Sequence, residues 1–594
     1  MILQSLFDYY QRQKKDLPPF GYELNDRIPF TIVIDEKGNF VDWEDNRLGD
    51  EKKKRSRPFF VPQSQKRPGT KGWQIAFLLW DHVGYVLGHD SEDPELAIKQ
   101  HQSFQRRLEQ VFPNPVSDVG VFAVKEFLRC DDFKRLYQHP AWQEIKNKPF
   151  NVTFRLQGDS CLICQREAVQ EAITMMESPN KGGHGRCLVT GKIGSISRLH
   201  AAVKGIRGAQ TVGADIVAFN FGSVCSYGKT FHDRGMNSPV SEYAMFAYTT
   251  ALNYLLRADS RQKLRVGEDS FVFWAEKSDP AEELFADWLQ PDPDDPARGV
   301  EAVKALYEAP KTGARPLDED ETRFFVLGLA PNNARLAVRL WNVSTVRELA
   351  AHIRQHFDDL TIVRSSRESE YLPLWRLLKA TAAQGESKNI PPPLASETLR
   401  AILAGTPYPQ TLLVATLQRI RAEQSKRDQN GRIVPNVTYE RAALIKAILV
   451  RNTRFHHSNQ QEVNVSLDLK NPNIGYRLGR LFAVLERVQA LASGDLNATI
   501  RDRFYGAASA TPVTAFPYLL KLKNHHLKKL KAGQTIWLEN LIGQVFETIT
   551  QFPAHLNLDD QGRFAIGYYH QRHDFFTKKT SEHQSADQGA PDRD

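Results

Sequence analysis

Cysteine is scarce in this chain, with five in 594 residues. That rules out a disulfide framework and leaves reduced thiols as the expectation. Long apolar runs are also missing. The best candidate, Ala76 to Leu87, is broken by Asp81 and His82 and falls short of the ~18 residues a membrane span needs. The N-terminus carries Gln4, Asp8 and Gln11 where a signal peptide would carry an apolar core. These absences lead us to expect a cytoplasmic protein with no membrane association. No phosphate-loop Gly-x-x-x-x-Gly-Lys-Ser/Thr, no Gly-x-Ser-x-Gly elbow and no His-Glu-x-x-His is found, so three large enzyme classes lose their usual signature. Charge of one sign is in short supply too. Lys plus Arg number 78 against 70 for Asp plus Glu, a net +8 with pI near 9.0, compatible with a polyanion partner without establishing one.

What is present reads as a soluble globular chain, 41% hydrophobic and 25% charged, too long for one core. The first half predicts mixed α and β. Pro29 to Trp43 has the pattern of a hairpin turning at Glu36-Lys37-Gly38, and Phe150 to Leu156 alternates like a half-buried strand. Phe271 to Trp274 predicts a strand after a Gly267-Glu268-Asp269 turn. Phe324 to Leu329 and Leu336 to Leu340 predict strand, turn, strand about Pro331-Asn332-Asn333. Glu242 to Leu256 has helical spacing. After residue 345 the strand signals fade, and Gln384 to Pro393 is the best linker candidate. Leu412, Leu413, Thr416, Leu417 and Ile420 then keep helical spacing, as do Ala442, Ile445 and Leu449, and Leu478, Leu481, Leu485 and Val488. The expected class is α+β: a mixed domain over 1–345, a connecting segment over 346–395, a helical bundle over 396–579 and a polar, disordered tail over 580–594.

Seven stretches carry a resemblance. They are Phe77 to Asp81 with Tyr85 to Gly88; Cys187 to Gly191 with Arg198 to His200; Lys204 to Gln210; Ser226 to Lys229 running into Asn237 to Glu242; Phe325 to Asn332; Tyr476 to Ala483; and Ala565 to Gln571. In this order they resemble the large subunit of the type I-C (Dvulg-subtype) CRISPR Cascade complex over nearly the whole chain. The resemblance implies a non-catalytic subunit at the 5′-handle end of a CRISPR RNA, beside the subunit that grips the handle and with backbone and small subunits. Such a subunit recognises a protospacer-adjacent motif in duplex DNA, helps open the duplex and presents it to a helicase-nuclease. It also implies that the C-terminal helices resemble the small subunit of the complex. No cofactor is implied.

Several clusters could do this work. Lys52, Lys53, Lys54, Arg55, Arg57, Lys66, Arg67 and Lys71 put eight cations within twenty residues. They suit a loop that neutralises DNA phosphates, with a merely solvated loop as the alternative. Ser226, Gly228, Lys229 and Asn237 form a polar, glycine-containing segment before a strong helix. Its Lys and Asn could reach base edges, while Ser238 or Ser241 could simply cap the helix. Lys204 and Arg207, flanked by Gly205 and Gly208, could hold phosphates or form a tight turn. Arg477, Arg480 and Arg487 predict a ridge on one helix face, followed by Arg501 and Arg503. Lys523, Lys528 and Lys529 sit in an acid-free run from Lys521 to Lys531. Such one-sign faces fit the displaced single strand, or else stay solvated.

Cys161-x2-Cys164 followed after nineteen residues by His184-x2-Cys187 has zinc-ribbon spacing, yet only Cys187 falls in a resembling stretch, so zinc is a weak candidate beside buried thiols. The rival classes are a metal-dependent nuclease and a scaffold that never touches DNA. For the nuclease, the acid runs Asp292 to Pro296 and Asp318 to Glu321 read as exposed loops and not as the rigid carboxylates that paired ions need. The scaffold reading predicts that charge reversal at Lys229 or Lys71 leaves DNA affinity unchanged.

Overall fold

The computed structural model describes residues 1–49, 55–65, 67, 69–129, 133–146, 148–176, 181–210, 213–219, 221–266, 268–289, 301–304, 321–456, 463–493, 498–547 and 549–576. Lys52, Lys53, Lys54 and Lys66 lie outside them, as do Gly267, most of both acid runs and the expected tail. The chain forms two compact units, one of residues 1–205 with 211–257, the other of 206–210 with 258–594. The division therefore falls after Arg257. Residue 345 instead marks where strands give way to helices inside the second unit.

In the first unit, β1 (Phe30–Ile34) and β2 (Phe40–Asp45) are the expected hairpin, closed by Asp35 accepting from the Lys37 and Asn39 amides at 2.9 and 2.8 Å. β1 also pairs in parallel with β4 (Asn151–Leu156), which pairs antiparallel with β3 (Trp80–His82), giving the order β2-β1-β4-β3. The alternation in β4 buries Val152, Phe154 and Leu156. Helix α1 (Ile2–Arg12) packs on α2 (Glu242–Leu255). Ser241 caps α2, its hydroxyl accepting from the Ala244 amide at 3.3 Å. A hairpin of β5 (Lys181–Arg186) and β6 (Ile193–Ser197) precedes α2.

The second unit joins a meander to a bundle. β7 (Lys263–Val266), β8 (Asp269–Ala275), β9 (Arg323–Asn332) and β10 (Arg335–Thr345) pair antiparallel in sequence order. One face of this sheet, with Phe271, Phe273, Phe324 and Val326, shares a continuous apolar core with the helices that follow. These are α3 (Val346–Leu360), α4 (Leu374–Thr381), α5 (Pro392–Ala404), α6 (Gln410–Ala422), α7 (Tyr439–Phe455), α8 (Ile474–Ala492), α9 (Ile500–Ala510), α10 (Pro512–Leu527), α11 (Ala532–Phe546) and α12 (Leu558–Asp574). The linker candidate Gln384 to Pro393 is a connection within this unit. Gln384 to Asn389 forms two short turns, Ile390 is buried and Pro392 opens α5. The protein is thus mixed α+β with a helical C-terminal region. Among the described residues no helix is long and apolar enough to cross a membrane.

The tightest packing in the bundle is between α8 and α12. Both supply small residues at the crossing, and a Cβ on Gly567 would stand 2.1 Å from the Tyr476 carbonyl oxygen. Only glycine lets the two backbones approach this closely. Two stretches that carried the resemblance, Tyr476 to Ala483 and Ala565 to Gln571, therefore meet face to face.

Candidate nucleic-acid interface

The segment from Ser226 to Asn237 folds as a braced loop. The Lys229 ammonium donates to the Met236 carbonyl, and the Lys229 amide donates to the Ser226 carbonyl at 3.2 Å. Asn237 is used on both sides of its amide: Nδ2 donates to the Thr230 carbonyl at 3.1 Å, and Oδ1 accepts from the Ser226 amide at 3.4 Å. Thr230 and Asp233 close a capping box, with both the Thr230 amide and hydroxyl donating to Asp233 at 2.9 Å. Lys229 and Asn237, which the sequence offered for base edges, here make bonds within the loop, because a glycine-containing turn needs side-chain partners for its otherwise orphaned backbone groups.

What the brace displays is Tyr227, 98% exposed and held at φ +58°. Gly228 follows at φ +72°, and a Cβ there would meet nothing within 4 Å. A tyrosine in the left-handed region is uncommon and marks a position the surroundings over-determine. The sequence carried a weak signal for it, an aromatic residue directly before a glycine in a polar turn.

The basic clusters divide into displayed and internal charges. Arg55 and Lys71 are exposed. Arg67 is not a free cation: its guanidinium lies between the rings of Phe77 and Tyr85, 3.9 and 4.0 Å from their centroids. It pairs with the fully buried Asp81 and donates from Nε to the Ile75 carbonyl at 2.7 Å. Arg67 thus pairs with a core carboxylate. Lys204 is exposed, with its amide donating to Asn253 Oδ1 at 2.7 Å. Arg207 is exposed in the short stretch that belongs to the second unit.

The predicted arginine ridge is absent from the surface. Arg480 is 1% exposed, donating to Gln571 Oε1 at 3.1 Å and to the Leu469 carbonyl at 3.3 Å. Arg477 is buried and donates to the Asn471 carbonyl at 2.6 Å, and Arg501 is buried with a bond to the Val434 carbonyl at 3.0 Å. Arg487 is half-buried over the Phe576 ring. The reason is the position of α8. It is covered on nearly every side, so guanidinium groups that look like a polar stripe serve instead to satisfy loop carbonyls.

The run after Leu520 does reach solvent. Lys521, Lys528, Lys529 and Lys531 are exposed and Lys523 is half-buried, and none pairs with a carboxylate among the described residues. Tyr518 and Trp537, on the two helices that flank this run, are 51% and 48% exposed. A run of cations with accessible rings on either side of it in the chain is a composition that suits a single-strand platform.

Among the described residues the zinc spacing does not gather into a metal-holding group. Cys164 is buried beside Thr153 in the first unit's core, where burial pushes its thiol up to about 12. His184 is exposed on β5. Cys187 is buried in the turn between β5 and β6, accepting from the amides of Ser241, Val189 and Thr190 at 3.2, 3.4 and 3.5 Å. Burial opposes the thiolate there, yet the bonds from Ser241 and Thr190 outweigh it and bring the thiol down to about 7. No group of three or more His, Cys, Asp or Glu is placed to hold a metal ion among the described residues.

No curated protein matches the chain. A family model described as CRISPR-associated protein (Cas_Csd1) matches residues 6–576, and the chain belongs to that CRISPR-associated family.

Proposed function

We propose that this chain is the large subunit of a type I-C Cascade surveillance complex, acting without a catalytic step of its own. It recognises the protospacer-adjacent motif in duplex DNA, promotes opening of the duplex and R-loop formation, and presents the opened DNA to a recruited helicase-nuclease in the cytoplasm. Guide RNA held by the complex reads the remaining sequence by base pairing. Membership of the CRISPR-associated family supports the setting. The observation that carries the assignment to DNA is the braced loop that holds Tyr227 out at 98% exposure.

In this reading Lys229 and Asn237 pre-organise the loop, and Tyr227 stacks on a base at the edge of the motif. Stacking of one base on an aromatic side chain is worth about 1–3 kcal/mol. That compares with the cost of unstacking one base step, a few kcal/mol. Exposed Lys71, Arg55 and Lys204 hold the duplex backbone. The Lys521 to Lys531 face with Tyr518 and Trp537 takes the displaced strand.

The test is binding of the assembled complex to guide-matched duplexes with and without the cognate adjacent motif, comparing wild type with Tyr227→Ala. Normal assembly with lost motif discrimination supports the reading. Unchanged discrimination removes this loop from motif recognition.

A further inference from the structure

The second unit contains a cleft of about 660 Å³, within the ~300–1,000 Å³ of small-molecule sites. Three segments wall it: the loop after α3, the approach to α7, and the end of α12. On α12 and the turn after it, Tyr569, His573 and Phe576 follow the spacing of one helix face. The Tyr569 hydroxyl donates to the Val363 carbonyl at 2.8 Å, which fixes the ring against the loop that bears Arg364, Ser365 and Ser366. Phe576 is 70% exposed, with the Arg487 guanidinium 5.4 Å from its ring centroid. Tyr569 is therefore fixed and half-buried, while the Phe576 ring stays open to solvent.

The charges of the cleft are unevenly spent. Glu368 and Glu440 share the Arg376 guanidinium at 2.7 and 2.6 Å. Arg364 comes no closer than 3.8 Å to Glu370, and a third of its side chain is exposed. Its guanidinium keeps donors for an anion, and the exposed Ser365 and Ser366 hydroxyls stand next to it in the chain. A forked cation with adjacent hydroxyls is suited to a phosphate. The exposed Phe576 ring, continued along the same face by the half-buried Tyr569 and His573 rings, is suited to a nucleobase.

We propose that this cleft binds one nucleotide unit, with the base on the Tyr569–His573–Phe576 face and the phosphate on Arg364 and its neighbouring serines. The unit is either a free nucleoside monophosphate or one residue of a single strand. The assignment does not rest on motif recognition by the Tyr227 loop, and its test uses no motif-bearing duplex.

Full-length protein is titrated with dAMP and, separately, with a five-residue deoxyadenosine oligonucleotide, using wild type, Arg364→Ala and Phe576→Ala. Both side chains are accessible, so neither substitution opens a core. If dAMP binds and each substitution weakens it about fivefold or more, the cleft takes the free nucleotide. If only the oligonucleotide binds, with the same sensitivity, the cleft takes a residue of a strand. Binding that both substitutions leave unchanged, or no binding of either probe, overturns the proposal. Unchanged oligonucleotide binding would then belong to a surface such as the Lys521 to Lys531 face.

Discussion

A Cβ placed on Gly479 would stand 2.0 Å from the carbonyl oxygen of Phe564. The obstacle is backbone on the facing helix, so no rotamer change relieves it. Gly479→Ala is expected to force α8 and α12 apart and cost about 3 kcal/mol, the upper range for overpacking. Gly543 on α11 has nothing within 4 Å of its hypothetical Cβ. Gly543→Ala should gain up to about 1 kcal/mol through helix propensity. Urea unfolding of the two variants, followed by circular dichroism, should show shifts of opposite sign.

Arg480 and the pair Lys528 and Lys529 should separate under salt. Losing the buried guanidinium leaves the Leu469 carbonyl and Gln571 without their donor, so Arg480→Gln should lower stability by about 2 kcal/mol. The slope of log affinity against log salt for single-stranded DNA should not move. Removing both exposed lysines by Lys528→Ala with Lys529→Ala should reduce that slope by about 0.7 for each phosphate left without its cation, with little change in stability. A salt slope that falls in Arg480→Gln would contradict the buried placement.

Acid should weaken the second unit in a defined window. Buried His356 and His570 lie 2.5 and 3.0 Å from the hydroxyls of Tyr408 and Tyr476. Burial disfavours the imidazolium and holds both groups down to about 3, against about 6.5 in an unfolded chain. The unfolded chain then binds protons that the folded one refuses. Stability is full above about pH 6.5 and is lost as the pH falls toward 3, by about 1.4 kcal/mol per pH unit for each histidine. Unfolding midpoints at pH 7 and pH 5 should differ less in His570→Gln than in wild type. Equal differences would refute the assignment.

Lys229 and Asn237 should behave as braces and Tyr227 as a displayed group. Lys229→Ala and Asn237→Ala remove bonds that close the loop, so limited proteolysis between Ser226 and Asn237 should accelerate several-fold. Tyr227→Ala removes no bond within the brace and should leave the rate near that of wild type. Faster cleavage in Tyr227→Ala alone would reverse the roles.

Much of the secondary structure could be read from residue order. The hairpin at Asp35 to Asn39, the β9–β10 turn and helices such as α8 follow from alternation, glycine placement and helical spacing, all local in the chain. The division after Arg257 could not be read this way. It depends on the β7–β10 sheet sharing a core with helices far along the chain, and no local pattern reports that.

The candidate interface shows the same limit. Sequence by itself determined the family, through stretches such as Cys187 to Gly191 and Tyr476 to Ala483, and it singled out the segment around Gly228 as a candidate. It also placed acid-free lysines at Lys521 to Lys531, where charge density is a property of neighbours in the chain. Only the tertiary structure decided which cations face solvent. Arg67, Arg477 and Arg480 read like Lys71 and Lys528 on paper, but their partners, Asp81, the Asn471 carbonyl and Gln571, are brought to them by folding. A side chain's role depends on what surrounds it in space, and that is why Tyr227 is displayed while Lys229 bonds within the loop.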